Sequence, residues 1–178
     1  MIVHEEELKA LAGKDRLSIE DFHGRCLMDL VLETKPKTLI EIGTGSGYST
    51  AWILLGLNSN KRGTLMTFDS TIRKPYAWKV AGIPDDRIRK FNNAFAYSVN
   101  HFPKKIDFVF HDAGHFFEHV KEDLELVFPM MSPRGIIAIH DIMYSYDMGE
   151  KVKKMFEDMG WKYEEKREGC GLGIARKS

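Results

Sequence analysis

Cysteine is scarce: only Cys26 and Cys170 occur in 178 residues. Two thiols cannot build a disulfide framework, and their scarcity suits a reducing compartment, with the cytoplasm as the expectation. Net charge is absent as well, since 26 basic side chains balance 26 acidic ones. No global field then draws the chain to nucleic acid or to an anionic membrane, and a small polar or neutral partner fits better. Long apolar runs are missing; the longest, "AWILLGL", falls far short of a membrane span. The N-terminal "MIVHEEELKALAGK" lacks the basic-then-apolar order of an export signal. There is no internal repeat, no low-complexity tract and no Pro/Gly/Ser-rich linker, so one domain over residues 1–178 is expected.

What is present is an alternation of helical and strand patterns. "SIEDFHGRCLMDLVLETKP" offers Ser18 as an N-cap, an apolar stripe of Ile19, Phe22, Cys26 and Leu30, and Pro36 just past the end. That makes a helical extension over residues 1–35, before a core over 36–178. "KTLIEIG", "GTLMTFD", "RIRKFNNA", "IDFVFHD" and "GIIAIHD" read as five strands. "YSTAWILLGLN" reads as a helix buried on nearly every side. Phe117, Val120, Leu124 and Val127 form one further helical stripe, and Val152, Met155, Phe156 and Met159 form another before Gly160. The tail "WKYEEKREGCGLGIARK" looks like a hairpin around Gly-Cys-Gly. The pattern predicts an α/β fold: a Rossmann-like, doubly wound, mostly parallel seven-stranded sheet with an antiparallel C-terminal hairpin. Ligands of such sheets sit beyond the carboxyl ends of the strands.

"IEIGTGSGYST" places Gly43, Gly45 and Gly47 between a strand and a helix. Glycines there let main-chain amides approach a ligand, but the spacing is wrong for nicotinamide dinucleotides and there is no P-loop lysine. Glu41, just before the turn, would suit a ligand ammonium or hydroxyl. Asp69 ends the second strand, twenty-two residues after Gly47, where a carboxylate can take both hydroxyls of a ribose. With these residues and the terminal hairpin, the chain resembles the class I S-adenosylmethionine-dependent methyltransferases from about Ser18 onward. The resemblance implies S-adenosyl-L-methionine held by Glu41, Gly43, Thr44, Gly45, Gly47, Ser49 and Ser70, by Asp69 at the ribose, and by Asn93 at the adenine, with Asn92 as the fallback. Asp112 would border the same cofactor.

"FVFHDAGHFFEH" and "IIAIHDI" narrow the resemblance to the small-molecule O-methyltransferases of the sugar and catechol type that hold a divalent cation. It implies Asp112, His140 and Asp141 as ligands of Mg2+ or another cation, His115 as general base beside Asp112, and O-methylation of a hydroxylated small molecule. His140 departs from the acidic pattern, because histidine is a poor partner for magnesium. A homodimer could complete the acceptor pocket.

Other readings stay open. His115, Glu118 and His119 spell the H-x-x-E-H of inverted zinc peptidases, which needs both histidines on one helical face and a third ligand downstream. A cofactor-binding regulator without transferase activity would carry the same glycine turn. Asp112 and Asp141 could be helix or turn caps, His111 a packed strand end, and His119, Asp123 and Glu125 solvated helix residues. Tyr48, Trp52 and Phe95 read as core, with Trp78 a candidate neighbour of the adenine.

Overall fold

The computed structural model describes residues 4–11, 19–71 and 73–177. Seven strands form one sheet: β1 (Thr38–Ile42), β2 (Thr64–Phe68), β3 (Ile88–Phe91), β4 (Ile106–His111), β5 (Met131–His140), β6 (Lys162–Lys166) and β7 (Leu172–Arg176). Their spatial order is β3-β2-β1-β4-β5-β7-β6. Neighbours from β3 to β5 run parallel, whereas β7 is antiparallel to both β5 and β6. The expected mixed sheet is therefore present, with the terminal hairpin entering so that its second strand, not its first, meets β5. Among the described residues no helix is long and apolar enough to cross a membrane.

Side chains alternate across the sheet because successive strand residues face opposite sides. Leu39, Phe108 and Ile136 pack on one face with Leu27 and Trp52. Ile40, Val109 and Ile137 pack on the other with Val120, Val152 and Phe156. The first face is covered by α2 (Asp21–Thr34) and α3 (Tyr48–Asn60), the second by α5 (Phe117–Val127) and α6 (Met148–Asp158). Two short helices, α1 (Glu5–Lys9) and α4 (Ala77–Val80), complete the set. Residues 48–57 of α3 are buried on all sides, as their unbroken apolar run implies. Deleting a side chain such as the fully buried Trp52 typically costs about 3–5 kcal/mol.

The start of α2 differs from its expected stripe. The helix begins at Asp21 with Glu20 at the N-cap position, and Ser18 lies outside the described residues. Phe22 points outward at 48% exposure, while His23, Leu27, Met28, Leu30 and Val31 face the core. At the other end Lys35 adopts a left-handed backbone and donates its N–H to Val31, and Pro36 follows where the helix cannot continue. Met159, expected on the inner stripe of α6, is likewise exposed, beyond the last helical turn.

The chain leaves β1 toward β2 and β3 on one side and returns to β4 on the other. That reversal opens a crevice over the carboxyl ends of β1 and β4.

Candidate active site

A cavity of about 780 Å³ fills this crevice, a volume suited to a cofactor with a small second ligand. Its floor is backbone: the Gly43 N–H donates to the Phe68 carbonyl and the Asp112 N–H to the Ile42 carbonyl, both at 2.8 Å. A Cβ on Gly43 would lie 2.1 Å from the carbonyl oxygen of Asp112, so only glycine lets the β1 turn approach the end of β4. Gly45 is different. Nothing lies within 4 Å of where its Cβ would be, and it lines the cavity, which leaves room for a ligand to rest on the turn. Its N–H donates to Asp69 Oδ2 at 2.7 Å, and the Thr71 N–H donates to Oδ1, so Asp69 is held with one edge toward the cavity.

Thr44, Ser49, Ser70, Asp69 and Asp112 line the cavity beside Gly43 and Gly45. Glu41 does not. It is fully buried beneath the turn, where Ser49 donates to Oε1 at 2.7 Å and Thr50 and Thr67 donate to Oε2 at 2.5 and 2.6 Å. Burial pushes its carboxyl up to about 7, against the opposing pull of these hydroxyls. Glu41 is thus the internal pin of the turn and not a contact for a ligand's ammonium. Gly47 leads into α3, and the space its Cβ would take is filled by the Trp78 ring at 2.1 Å. Trp78 accordingly packs behind the turn, stacked on Tyr76, and does not line the cavity.

Asn93 is exposed and does not line the cavity, and Asn92 is engaged by Lys90. Ala94, Phe95 and Ala96 take that stretch of wall instead.

The opposite end of the cavity gathers charge. His115, three residues beyond Asp112, lines the wall, and its Nδ1 stands 2.6 Å from Oδ2 of Asp141. Asp141 follows β5 with a left-handed backbone at φ 61, a conformation that costs a non-glycine residue strain and is retained where the surroundings demand it. His140 is nearly buried and faces acids on both sides. Its Nδ1 is hydrogen-bonded to Asp112 Oδ1 at 3.2 Å and equally close to Asp141 Oδ1, and its Nε2 lies 2.9 Å from Glu20 Oε2. Burial alone would lower its basicity, but the hydrogen bond and charge of Asp112, with Asp141 and Glu20, hold the ring up at about 9. Burial likewise opposes the charge on Glu20, yet the Cys170 N–H and His140 draw its carboxyl down to about 2.

Glu20 and His23 were not legible as site residues. Their only trace in the sequence is a histidine three positions after an acid at a helix start, on the face that turns inward. His23 is fully buried, with Nδ1 2.9 Å from Glu20 and 3.3 Å from His140. Asp123 also departs from its expectation as a solvated charge: it pairs with the buried His111 at 3.0 Å and lines the cavity. Glu125 is exposed, as expected.

The zinc-helix arrangement is not met. α5 begins at Phe117, so His115 precedes the helix, while Glu118 and His119 are exposed on it. Among the described residues two triads of donor atoms converge within 4.8 Å, Asp112 with His115 and Asp141, and Glu20 with His23 and His140. Neither contains Glu118 or His119. The set Asp112, His140 and Asp141 expected for a cation does not fit one as arranged, because the His140 Nδ1 is turned to both aspartates, 3.2 Å from an oxygen of each, as a hydrogen-bond partner of those oxygens and not as a fellow ligand.

Comparison with known proteins agrees with this architecture. The O-methyltransferase TomG from Streptomyces achromogenes, solved with S-adenosylmethionine, superposes with a TM-score of 0.75 at 16% identity over 98% of this chain and 89% of its own. An O-methyltransferase from Bacillus cereus, solved with S-adenosylhomocysteine, gives 0.74 at 18% identity over 98% and 90%. The S-adenosylhomocysteine-bound Podospora anserina methyltransferase PaMTH1 gives 0.71 at 18% identity over 98% and 86%. At these identities the likeness is one of fold. No curated protein matches the sequence. Residues 40–142, which carry the glycine turn, Asp69, His115 and Asp141, match the family described as methyltransferase domain, and with more than half of its length inside that match the chain belongs to this methyltransferase family.

Proposed function

We propose that the chain transfers a methyl group from S-adenosylmethionine to a hydroxyl oxygen of a small molecule, with His115 as the general base. The observation that carries this reading is the contact of His115 Nδ1 with Asp141 Oδ2 at 2.6 Å, on the wall of the cavity that also holds the glycine turn and Asp69. With Nδ1 turned to a carboxylate, Nε2 is the nitrogen left to receive a proton, and the tautomer is set by its partner.

The fit of the cofactor rests on the open face of Gly45, on the Asp69 edge beside it and on the volume of the crevice. When bound, S-adenosylmethionine supplies an electrophilic methyl on a sulfonium. The residues here bind, orient and move one proton. Asp69 and the open face of Gly45 would hold the donor, and His115 would take the proton of the acceptor hydroxyl as the methyl group is transferred. A positioned base of this kind contributes about 100 to 10,000-fold, and alignment of donor and acceptor supplies much of the remainder. Tyr144, its ring 5.1 Å from that of His115, and Phe116 form an exposed aromatic rim for the acceptor.

The neutral overall charge favours a small hydroxylated acceptor over nucleic acid, and the two unpaired cysteines suit the cytoplasm. A homodimer would give the aromatic rim a cover. The test is a transfer assay with labelled methyl donor against a panel of hydroxylated metabolites, run with and without chelator. Transfer to an oxygen acceptor that vanishes in His115→Ala supports the reading; transfer to nitrogen or carbon acceptors alone would overturn it.

A further inference from the structure

At the acceptor end of the cavity one imidazole meets three carboxylates. Ionised carboxylates only accept hydrogen bonds. A ring whose Nδ1 faces Asp112 and Asp141 and whose Nε2 faces Glu20 therefore carries N–H on both nitrogens. His140 is 7% exposed, and a charge so enclosed persists where it is paired, here on three sides. Its Nδ1 stands between Asp112 Oδ1 and Asp141 Oδ1, 3.2 Å from each, where a cation bridging those two atoms would sit.

The two neighbouring triads are engaged through their Nδ1 atoms, although the buried His23 Nε2 has no partner. His115 Nδ1 is committed to Asp141 and His23 Nδ1 to Glu20, so a cation entering either triad would have to break an existing pair beside the His140 ring. Magnesium asks for near-octahedral oxygen ligands and gives up its water reluctantly, which disfavours such a crowded exchange.

We propose that the His140 ring, held among Glu20, Asp112 and Asp141, is the resident cation of the acceptor site, which for that reason takes no divalent metal. His140 acts as a positioning residue: it fixes Asp141, which in turn faces His115. This consequence for catalysis rests on the methyl-transfer reading, whereas the arrangement of charge does not.

The test is Mn2+ titration of the full chain, followed by the paramagnetic resonance of free Mn2+, for wild type, His140→Asp and the double variant His140→Asp/Asp112→Asn. Wild type is expected to show no saturable binding at millimolar Mn2+. His140→Asp, which turns the cluster into an all-carboxylate set, is expected to bind one Mn2+ per chain and to lose it in the double variant. Saturable wild-type binding that disappears in Asp112→Asn, Asp141→Asn or His23→Ala would overturn the proposal, as would a folded His140→Asp that binds nothing. Should His140→Asp show no cooperative melting, the wild-type titration with those three single variants decides alone. Because no methyl transfer is measured, a mistaken donor or acceptor leaves the result intact.

Discussion

His115 and Asp141 meet at 2.6 Å although they belong to different loops, one after β4 and one after β5. Parallel pairing of these strands, with His111 opposite Ile139, brings the two loops out on the same edge of the sheet. The meeting is therefore a product of strand register, and the base proposed at His115 would need little side-chain rearrangement to act.

His115→Ala should lower the turnover of methyl transfer by ~100-fold or more while leaving the affinity for S-adenosylhomocysteine nearly unchanged. Asp141→Asn should act in the same direction, since it replaces the carboxylate that faces Nδ1. Steady-state kinetics beside calorimetric titration of S-adenosylhomocysteine separate the two quantities. An undiminished turnover in His115→Ala would remove it from the role of base.

At about 100 times its dissociation constant, S-adenosylhomocysteine adds about 2.7 kcal/mol to the folded state. For a chain of this length that raises the melting midpoint by roughly 5–10 °C. Asp69→Ala should lose most of this rise, because it removes the carboxylate edge at the cavity and frees the Gly45 N–H it holds. An equal rise in wild type and variant would place the ribose elsewhere.

Glu41 makes stability depend on pH in a definite direction. Its folded value of about 7 lies above the ordinary 4.5, so the folded chain holds this proton more tightly than the unfolded one. The contribution is complete below pH 4.5 and is lost as pH rises through 7. Glu41→Gln keeps the shape of the group and cannot ionise. Urea unfolding at pH 5 and pH 8 should show a smaller difference for the variant than for wild type.

The Glu20–His140 pair behaves differently. His140 is raised from 6.5 to about 9, so its contribution is full below pH 6.5 and is lost as pH climbs through 9. Glu20 is lowered from 4.5 to about 2, so its contribution is full above pH 4.5 and is lost as pH falls through 2. Together they support the fold best between pH 4.5 and 6.5. Melting of His140→Gln across pH 6 to 10 should lack the alkaline decline that this group imposes on wild type.

Much of the framework was legible because its signals are local. The run in "LIEI" followed by spaced glycines specifies a strand and a turn, and the apolar sweep from Tyr48 to Leu57 specifies a helix buried all round. Asp112, His115, His140 and Asp141 could be named because they sit at strand ends. Their grouping could not. Glu20 reaches His140 across 120 positions, and no periodicity records such a contact. Phe22 misled for a related reason: helical spacing gives a stripe but not its phase, and the buried face was set by His23 and Leu27, one residue on. Asn93 failed because its loop turns after β3, so that Ala94 and Phe95 meet the cavity in its place.

Gly43 packs against the main chain of Asp112 with no side chain between them. The turn proposed to seat the methyl donor and the root of the loop bearing His115, the proposed base, are thus in direct main-chain contact. On that proposal, substitutions in the Phe116–Tyr144 rim would change which acceptor enters while leaving this main-chain contact in place.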